Sequence, residues 1–236
     1  MLIRKKMVME IVSVTYLLIC AGAISVILRR HFSNKTQKKE PPVEDDKNDE
    51  DIGKEELQYT LDTVNSWVNN CDQKAGILLT VVGVAVTVIM TSDFVKYLRQ
   101  YIFEPFVDYC QGNNQLLFSC GRFLVFVLLT VVCAMLITTF YYLLKAISTN
   151  IDYKKMYDDN PELEKTSYIF YGTISGMNYD DFKRREIKFE DDLKSQIYVN
   201  SRIATAKFMN YNEGMFWFKL MLLVAAMLFV AVMIVK

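Results

Sequence analysis

The stretch from Leu57 to Met90 carries an apolar residue at every step of three or four positions: Leu57, Leu61, Val64, Val68, Cys71, Ala75, Leu78, Val82, Ala85 and Ile89. This spacing predicts one helix with an apolar face that packs against a partner helix. The other faces are polar up to Lys74, whereas no residue from Ala75 to Thr91 is charged. We therefore expect one continuous helix that leaves water and enters lipid near Lys74.

Four uncharged apolar blocks divide the chain, which is 52% hydrophobic with a mean hydropathy of +0.15. A helix needs about 20 such residues to cross the roughly 30 Å hydrocarbon core of a bilayer. The blocks are Ile11–Leu28, Ala75–Thr91, Phe123–Leu144 and Met215–Val235, the last interrupted only by Lys219. The pattern predicts an all-α integral membrane protein: a three-span helical core with long cytoplasmic helical extensions, plus one N-terminal signal-anchor helix.

The N-terminal part is predicted to hold a transmembrane helix at residues 1–28 and a disordered charged tether at residues 29–53. A cleavable signal peptide is the alternative, with the basic residues 4–6 and the small residues 21–23 as its features. The apolar run continues beyond those small residues to Leu28, which favours a retained helix. The tether has two prolines, many carboxylates and almost no hydrophobic residues, so it cannot bury enough surface to fold.

Residues 54–236 are predicted to form one helical membrane domain. Its spans lie at about 75–91, 123–144 and 215–235, its cytoplasmic helical bundle at 54–74 and 145–213, and its outer loop at 92–121. Within the outer loop we expect a short interfacial helix broken by Pro105. Within the bundle we expect the span-three helix to continue to about Asp159, and a second long helix from about Tyr179 to Asn212 to run directly into the last span.

Lysine and arginine set the expected orientation, because cytoplasmic loops retain them. The segment between spans three and four is rich in both, whereas the loop between spans two and three has only Lys96 and Arg99 before Arg122 at the edge of the next span. The long segment is therefore expected in the cytoplasm. Cys110 and Cys120 would then lie outside, where a disulfide between them and two unrelated thiols are both compatible with the sequence.

Catalytic and metal-binding motifs are absent from the sequence. The chain has one histidine, His31, and it lies in the predicted tether, which excludes histidine-based triads and multi-histidine metal sites. No glycine-rich phosphate loop and no paired Cys-x-x-Cys occurs. No basic face is interleaved with aromatics, so nucleic acid is not an expected partner. We expect no enzyme activity and no cofactor.

Two features mark the water–lipid boundary as a candidate site. Asp72 and Lys74 lie at the boundary itself, either as solvated, snorkelling charges or as groups that act in gating or in contact with a partner. Beyond them, small residues at helical spacing either allow close helix packing in lipid or face a water-filled path in an oligomer. These small residues are Gly76, Thr80, Gly83 and Thr87.

Three motifs resemble the Pycsar transmembrane effector family when they are taken together. Residues 67–78, WVNNCDQKAGIL, are similar to the family's entry to the first core span. Residues 169–174, IFYGTI, are similar to its short loop with phenylalanine and glycine. Residues 196–203, QIYVNSRI, followed by Lys207-Phe208, are similar to the helix before its last span. The resemblance covers about residues 57–236.

The resemblance implies a bacterial anti-phage effector that is switched on by a cyclic nucleotide and impairs the inner membrane as a homo-oligomer. It adds Gly172 and Gln196 to the candidate gating or coupling residues Asp72, Lys74, Gly76 and Gly83. Many relatives carry or act beside a cyclic-nucleotide-binding domain, whereas this chain has only a span and a tether before its core. Sensing would then fall to the helical bundle or to a separate sensor protein.

The sequence alone also fits a non-conducting structural or accessory membrane scaffold protein. For the effector, we expect the 54–74 helical segments of several copies to pack against one another through the apolar face of residues 57–89. A signal at the cytoplasmic bundle would then rotate or spread these segments.

Overall fold

The computed structural model describes residues 2–37, 53–111, 120–148, 156, 158–164, 167–184 and 189–235, and all regular secondary structure in these ranges is helical. We number the helices α1 Leu2–Gln37, α2 Lys54–Thr91, α3 Asp93–Leu98, α4 Glu104–Cys110, α5 Cys120–Ile147, α6 Tyr171–Gly176, α7 Tyr179–Arg184 and α8 Phe189–Val235. A π-helical segment, Arg99–Phe103, joins α3 to α4.

Three of these helices are long and apolar enough to cross a membrane: Lys54–Thr91, Gly121–Ile147 and Phe189–Met233. This confirms the three-span helical core. The helix α2 is unbroken through Lys74, as its apolar spacing predicts, and α8 runs for 47 residues into the last apolar block without a break. The N-terminal span at residues 11–28 and the cytoplasmic placement of the extensions stay predictions.

The N-terminal helix is longer than predicted. α1 continues past Leu28 to Gln37, so the beginning of the segment assigned to a disordered tether is helical. The physical reason is that residues 29–37 contain no proline or glycine, and their arginine, lysine and glutamine residues are good helix formers. Residues 38–52 of the predicted tether lie outside the described residues.

Pro105 does not break the helix of the outer loop, contrary to our expectation. It lies in the first turn of α4, where a helix leaves its N–H groups without intrahelical partners in any case. The wider π-helical turn that precedes it lets the chain stay helical from Asp93 to Cys110. Cys110 is an exposed free thiol, and the side chain of Cys120 lies outside the described residues.

The chain divides into two units, and the three membrane-compatible helices α2, α5 and α8 contribute residues to both. Unit 1 comprises Met1–Asp45, Thr80–Phe140 and Gly214–Lys236, and unit 2 comprises Asp46–Leu79 and Tyr141–Glu213. The core of unit 1 is apolar: Leu98, Ile102, Leu124, Val125, Leu128, Met135, Leu220, Met221, Val224, Leu228 and Ala231. Residues of α1, among them Ile24, Ile27 and Leu28, pack against this core.

Unit 2 is built around the apolar face of α2. Near the start of α2, Leu57 and Leu61 cluster with Leu193 of α8. Further along, Ala75 clusters with Leu143 and Ala146 of α5. The face that we expected to pack between copies is therefore occupied within one chain in unit 2. A helix face of this kind is satisfied by any apolar partner, and the chain supplies α5 and α8.

The long helix expected at about 179–212 is helical wherever the structure describes it: Tyr179–Arg184 forms α7 and α8 begins at Phe189, whereas residues 185–188 lie outside the described residues. The short helix α6 precedes this stretch. The expected start at about Tyr179 is the start of α7, where the Asn178 carbonyl accepts hydrogen bonds from the N–H groups of Asp181 and Phe182. Helix α5 ends at Ile147, and much of its expected continuation towards Asp159 lies outside the described residues.

Replacing Leu61 with alanine tests the packing of unit 2. Leu61 is buried between α2 and α8, so truncation leaves a cavity and should lower the free energy of unfolding by about 2–5 kcal/mol. Thermal melting followed by circular dichroism on the purified chain in detergent measures the effect. The control is Tyr59→Ala, because Tyr59 is exposed on the same helix and should change little. Equal shifts in the two variants would contradict the packing described here.

Candidate functional site

Lys207 of α8 is a buried cation in unit 2, with a side chain that is 8% exposed. Its Nζ donates a hydrogen bond to Oδ1 of Asp72 in α2 at 2.6 Å and another to the backbone carbonyl of Ile147 at 2.9 Å. Ile147 is the last residue of α5. A single ammonium group therefore connects α2, α5 and α8.

Each partner suits a buried ammonium group for a physical reason. The last carbonyls of a helix have no intrahelical donor and carry the negative end of the helix dipole, so the Ile147 carbonyl attracts a cation. Asp72 supplies the full negative charge that a lysine needs when it is removed from water. The Asp72 side chain is 36% exposed, so solvent screens part of the attraction, and the hydrogen-bond geometry matters as much as the charge.

Cys71 lies directly beside this ion pair and is fully buried. Burial raises the pKa of the Cys71 thiol, the Asp72 carboxylate raises it further, and Lys207 and Lys74 act in the opposite direction. The thiol therefore stays protonated, and it behaves as a small apolar group in the packing of α2.

A second polar contact links α2 and α8 two turns closer to the start of each helix. The Asn200 side-chain amide donates to Oδ1 of Asn65 at 2.9 Å. Asn65 precedes Asp72 by seven residues and Asn200 precedes Lys207 by seven, so the two contacts lie at the same spacing on both helices. Together they fix the register of α2 against α8.

The chain segment before α6 is held on the first turns of α8 by side chains of that helix. The Tyr168 N–H donates to Oδ2 of Asp192 at 2.8 Å, and the Glu164 N–H donates to Oγ of Ser195 at 3.0 Å. The other Asp192 oxygen is buried without a hydrogen-bond partner, and its position in the first turn of α8 lets the helix dipole stabilise it. Ile169 packs on the cluster formed by α2 and α8.

Gly172 allows a close approach within this segment. A Cβ atom at this position would lie 2.6 Å from Cε1 of Phe170, so any side chain there would displace the phenylalanine ring. This gives the glycine of the loop motif a packing role.

The other candidate residues are distributed differently from our expectation. Lys74 is exposed, and Asp72 pairs with Lys207 rather than with Lys74. Among the described residues, a Cβ atom built at Gly76 or at Gly83 would meet no heavy atom within 4 Å. Gln196 is buried in unit 2.

Lys207 is the residue that sequence reasoning missed as a site residue, although it lies in the third motif. The sequence offered one signal for such a role: Lys207 lies among apolar residues of a long predicted helix. A lysine among apolar positions of a packed helix needs an anion from a neighbouring element. Among the described residues, no group of three or more histidine, cysteine or carboxylate side chains could hold a metal ion.

Replacing Lys207 with methionine keeps the length of the side chain and removes its charge. Asp72 and the Ile147 carbonyl would lose their donor, and the free energy of unfolding should fall by about 1–3 kcal/mol. The matched control is Lys194→Met, because Lys194 is exposed on the same helix. The double variant Asp72→Asn/Lys207→Met should lose less than the sum of its two single variants. Strictly additive losses would show that the two side chains do not interact.

Cys71 should resist alkylation in the folded protein, because only an accessible thiolate reacts. At pH 8, N-ethylmaleimide should modify the exposed Cys110 much faster than the buried Cys71, as measured by mass spectrometry of peptides. Both thiols should react after unfolding in denaturant, which serves as the control. Equal rates in the folded protein would contradict the burial of Cys71.

Comparison with known proteins identifies the family. The sequence model described as "PycTM: Pycsar effector protein domain" matches residues 56–235. The "Pycsar effector protein GmPycTM" of Gulbenkiania mobilis is 28% identical over 179 residues, which cover 74% of this chain and 90% of that relative. No solved structure matches the chain significantly.

The match begins two residues after the start of α2 and ends at the last residue of α8, so it contains all three membrane-compatible helices and leaves α1 outside. The proteins of this family are anti-phage membrane effectors and are not known as enzymes. The chain is a multi-pass membrane protein that belongs to the Pycsar transmembrane effector family.

Proposed function

We propose that this chain is the membrane effector of a cyclic-nucleotide-triggered anti-phage defence system and that it impairs the inner membrane when it is activated. The family match over residues 56–235 carries this proposal, because it includes every element of the three-span core. In the proposed orientation unit 2 lies in the cytoplasm, where a nucleotide signal made during infection would be present.

The three long helices provide the path for the signal. α2, α5 and α8 each run without interruption from residues of unit 2 into residues of unit 1. A hydrogen-bonded helix resists bending. When the unit 2 part of such a helix is displaced, its apolar part is therefore displaced as well. The signal must bind one arrangement of unit 2 better than the other, since a ligand shifts a conformational equilibrium only by its difference in affinity.

The Lys207–Asp72 pair is the contact through which we expect the rearrangement to act. It holds the resting register of α2, α5 and α8. Burial of a charge makes this contact sensitive to position, because a small displacement leaves an ammonium group without its anion in a poorly hydrated place. Such a contact favours two distinct arrangements of the helices, one with the ion pair formed and one with it broken, over a continuous range of helix positions.

The face of α2 that carries Gly76 and Gly83 is the proposed contact between copies in an oligomer. Both glycines have open space beside them, and small residues let helix backbones approach closely in lipid. This face replaces the apolar face of residues 57–89 in that role, since α5 and α8 of the same chain occupy the latter in unit 2.

The trigger is a cyclic nucleotide that acts directly or through a separate sensor protein. An open groove of about 490 Å³ lies between residues 160–164 and the start of α8 in unit 2. Among the described residues, its charged lining consists of three carboxylates, Glu162, Glu164 and Asp191, and one cation, Lys194. The described lining thus offers a phosphate group a single cation, which favours signal entry through another surface or through a sensor protein.

Membrane potential in a bacterial host tests the proposal. Expression of the chain together with a nucleotide cyclase should depolarise the cells, as reported by a potential-sensitive dye, whereas the chain alone should not. The Lys207→Met variant should lose this response, and Lys194→Met should keep it. Normal potential with every cyclase product supplied would instead favour the non-conducting scaffold, provided that the chain is present in the membrane fraction.

A further inference from the structure

The end of α1 and the start of the apolar half of α8 lie together in unit 1. The Tyr16 hydroxyl donates to the Met227 carbonyl at 3.0 Å, and the ring of His31 stacks on Phe216 with centroids 3.6 Å apart and planes at 11°. Going along α1 from Tyr16 to His31, the partner in α8 moves back from Met227 to Phe216. The two helices run antiparallel over this length.

This arrangement brings cations of both helices to one level. Arg29 and Arg30 immediately precede His31, and Lys219 lies one turn beyond Phe216 on the same side of α8. Arg29, Arg30 and Lys219 are all exposed. Arg30 and Lys219 thus flank the stacked His31 and Phe216 rings, whereas Arg29, two residues before His31, lies on the opposite face of α1.

Lys219 is the unusual member of this group, because it lies among apolar residues. Phe216, Trp217 and Phe218 before it and Leu220 and Met221 after it all belong to the apolar core of unit 1 or pack against it. A charged side chain at such a position is costly in lipid unless its ammonium group reaches the headgroup region. Its side chain must therefore extend towards the polar edge of the membrane.

Protein carboxylates do not neutralise these charges within the described residues. The ion pairs found there are Lys96–Asp93, Arg99–Glu104 and Lys207–Asp72, and none includes Arg29, Arg30 or Lys219. The aromatic side chains beside them suit the interface between hydrocarbon and headgroups. Exposed cations at this level of the bilayer are open to anionic lipid headgroups.

We propose that Arg30 of α1 and Lys219 of α8 form a binding site for the headgroup of an acidic phospholipid. Guanidinium groups bind a phosphate with two parallel hydrogen bonds, and the ammonium group of Lys219 adds a third donor from the opposite helix. Basic pockets between membrane helices on the cytoplasmic side bind acidic lipids in this way. The site requires both helices, so the lipid fastens α1 to the core of unit 1.

Native mass spectrometry of the full-length chain tests the site, with phosphatidylglycerol and phosphatidylethanolamine as the two probes. The chain should retain phosphatidylglycerol in preference to phosphatidylethanolamine. The variant Arg30→Gln/Lys219→Gln should weaken phosphatidylglycerol binding on the order of 25-fold, at about fivefold for each charge near a membrane surface. Inorganic phosphate in excess should not displace the lipid.

The matched control is Arg99→Gln/Lys96→Gln, which removes the same two residue types where carboxylates already neutralise them. This variant should bind phosphatidylglycerol as the natural sequence does. Equal retention of the two lipids by the natural sequence would overturn the proposal whether or not the variants fold. Equal losses in the two double variants, or displacement of the lipid by inorganic phosphate, would also overturn it.

Discussion

A lysine that is almost fully withdrawn from water must find an anion, and the packing of unit 2 depends on how Lys207 finds one. Its ammonium group is shared between the Asp72 carboxylate and the terminal carbonyl of α5, so one side chain contacts three helices. Apolar packing alone would not achieve this, because leucine and alanine clusters tolerate sliding. The charged contact selects one register.

The helices themselves were predictable, because periodicity reports on local structure. The apolar spacing from Leu57 onwards and the absence of charge from Ala75 to Thr91 indicated the continuous α2 that is observed. The end of α1 was less predictable, since charged residues such as Arg29 and Arg30 suit a solvated helix and a tether equally. Pro105 was misjudged because its effect depends on its position in the first turn of α4.

Partners in the folded chain were harder to predict than the helices. The apolar face of α2 demanded a partner helix, but the pattern contains no information on whether that helix belongs to the same chain or to a second copy. Asp72 was identified from its place at the boundary, whereas Lys207, 135 residues away, was not paired with it. Spacing along one helix cannot reveal a contact across that distance.

The account rests on a change in the packing of α2 against α8 when the chain is activated. Spin labels at Ser66 of α2 and Arg202 of α8, in a background without native cysteines, would report this distance by pulsed electron resonance in vesicles. The account predicts one narrow distance distribution at rest and a second, shifted one under the conditions that make the vesicles leak. An unchanged distribution in leaking vesicles would contradict it.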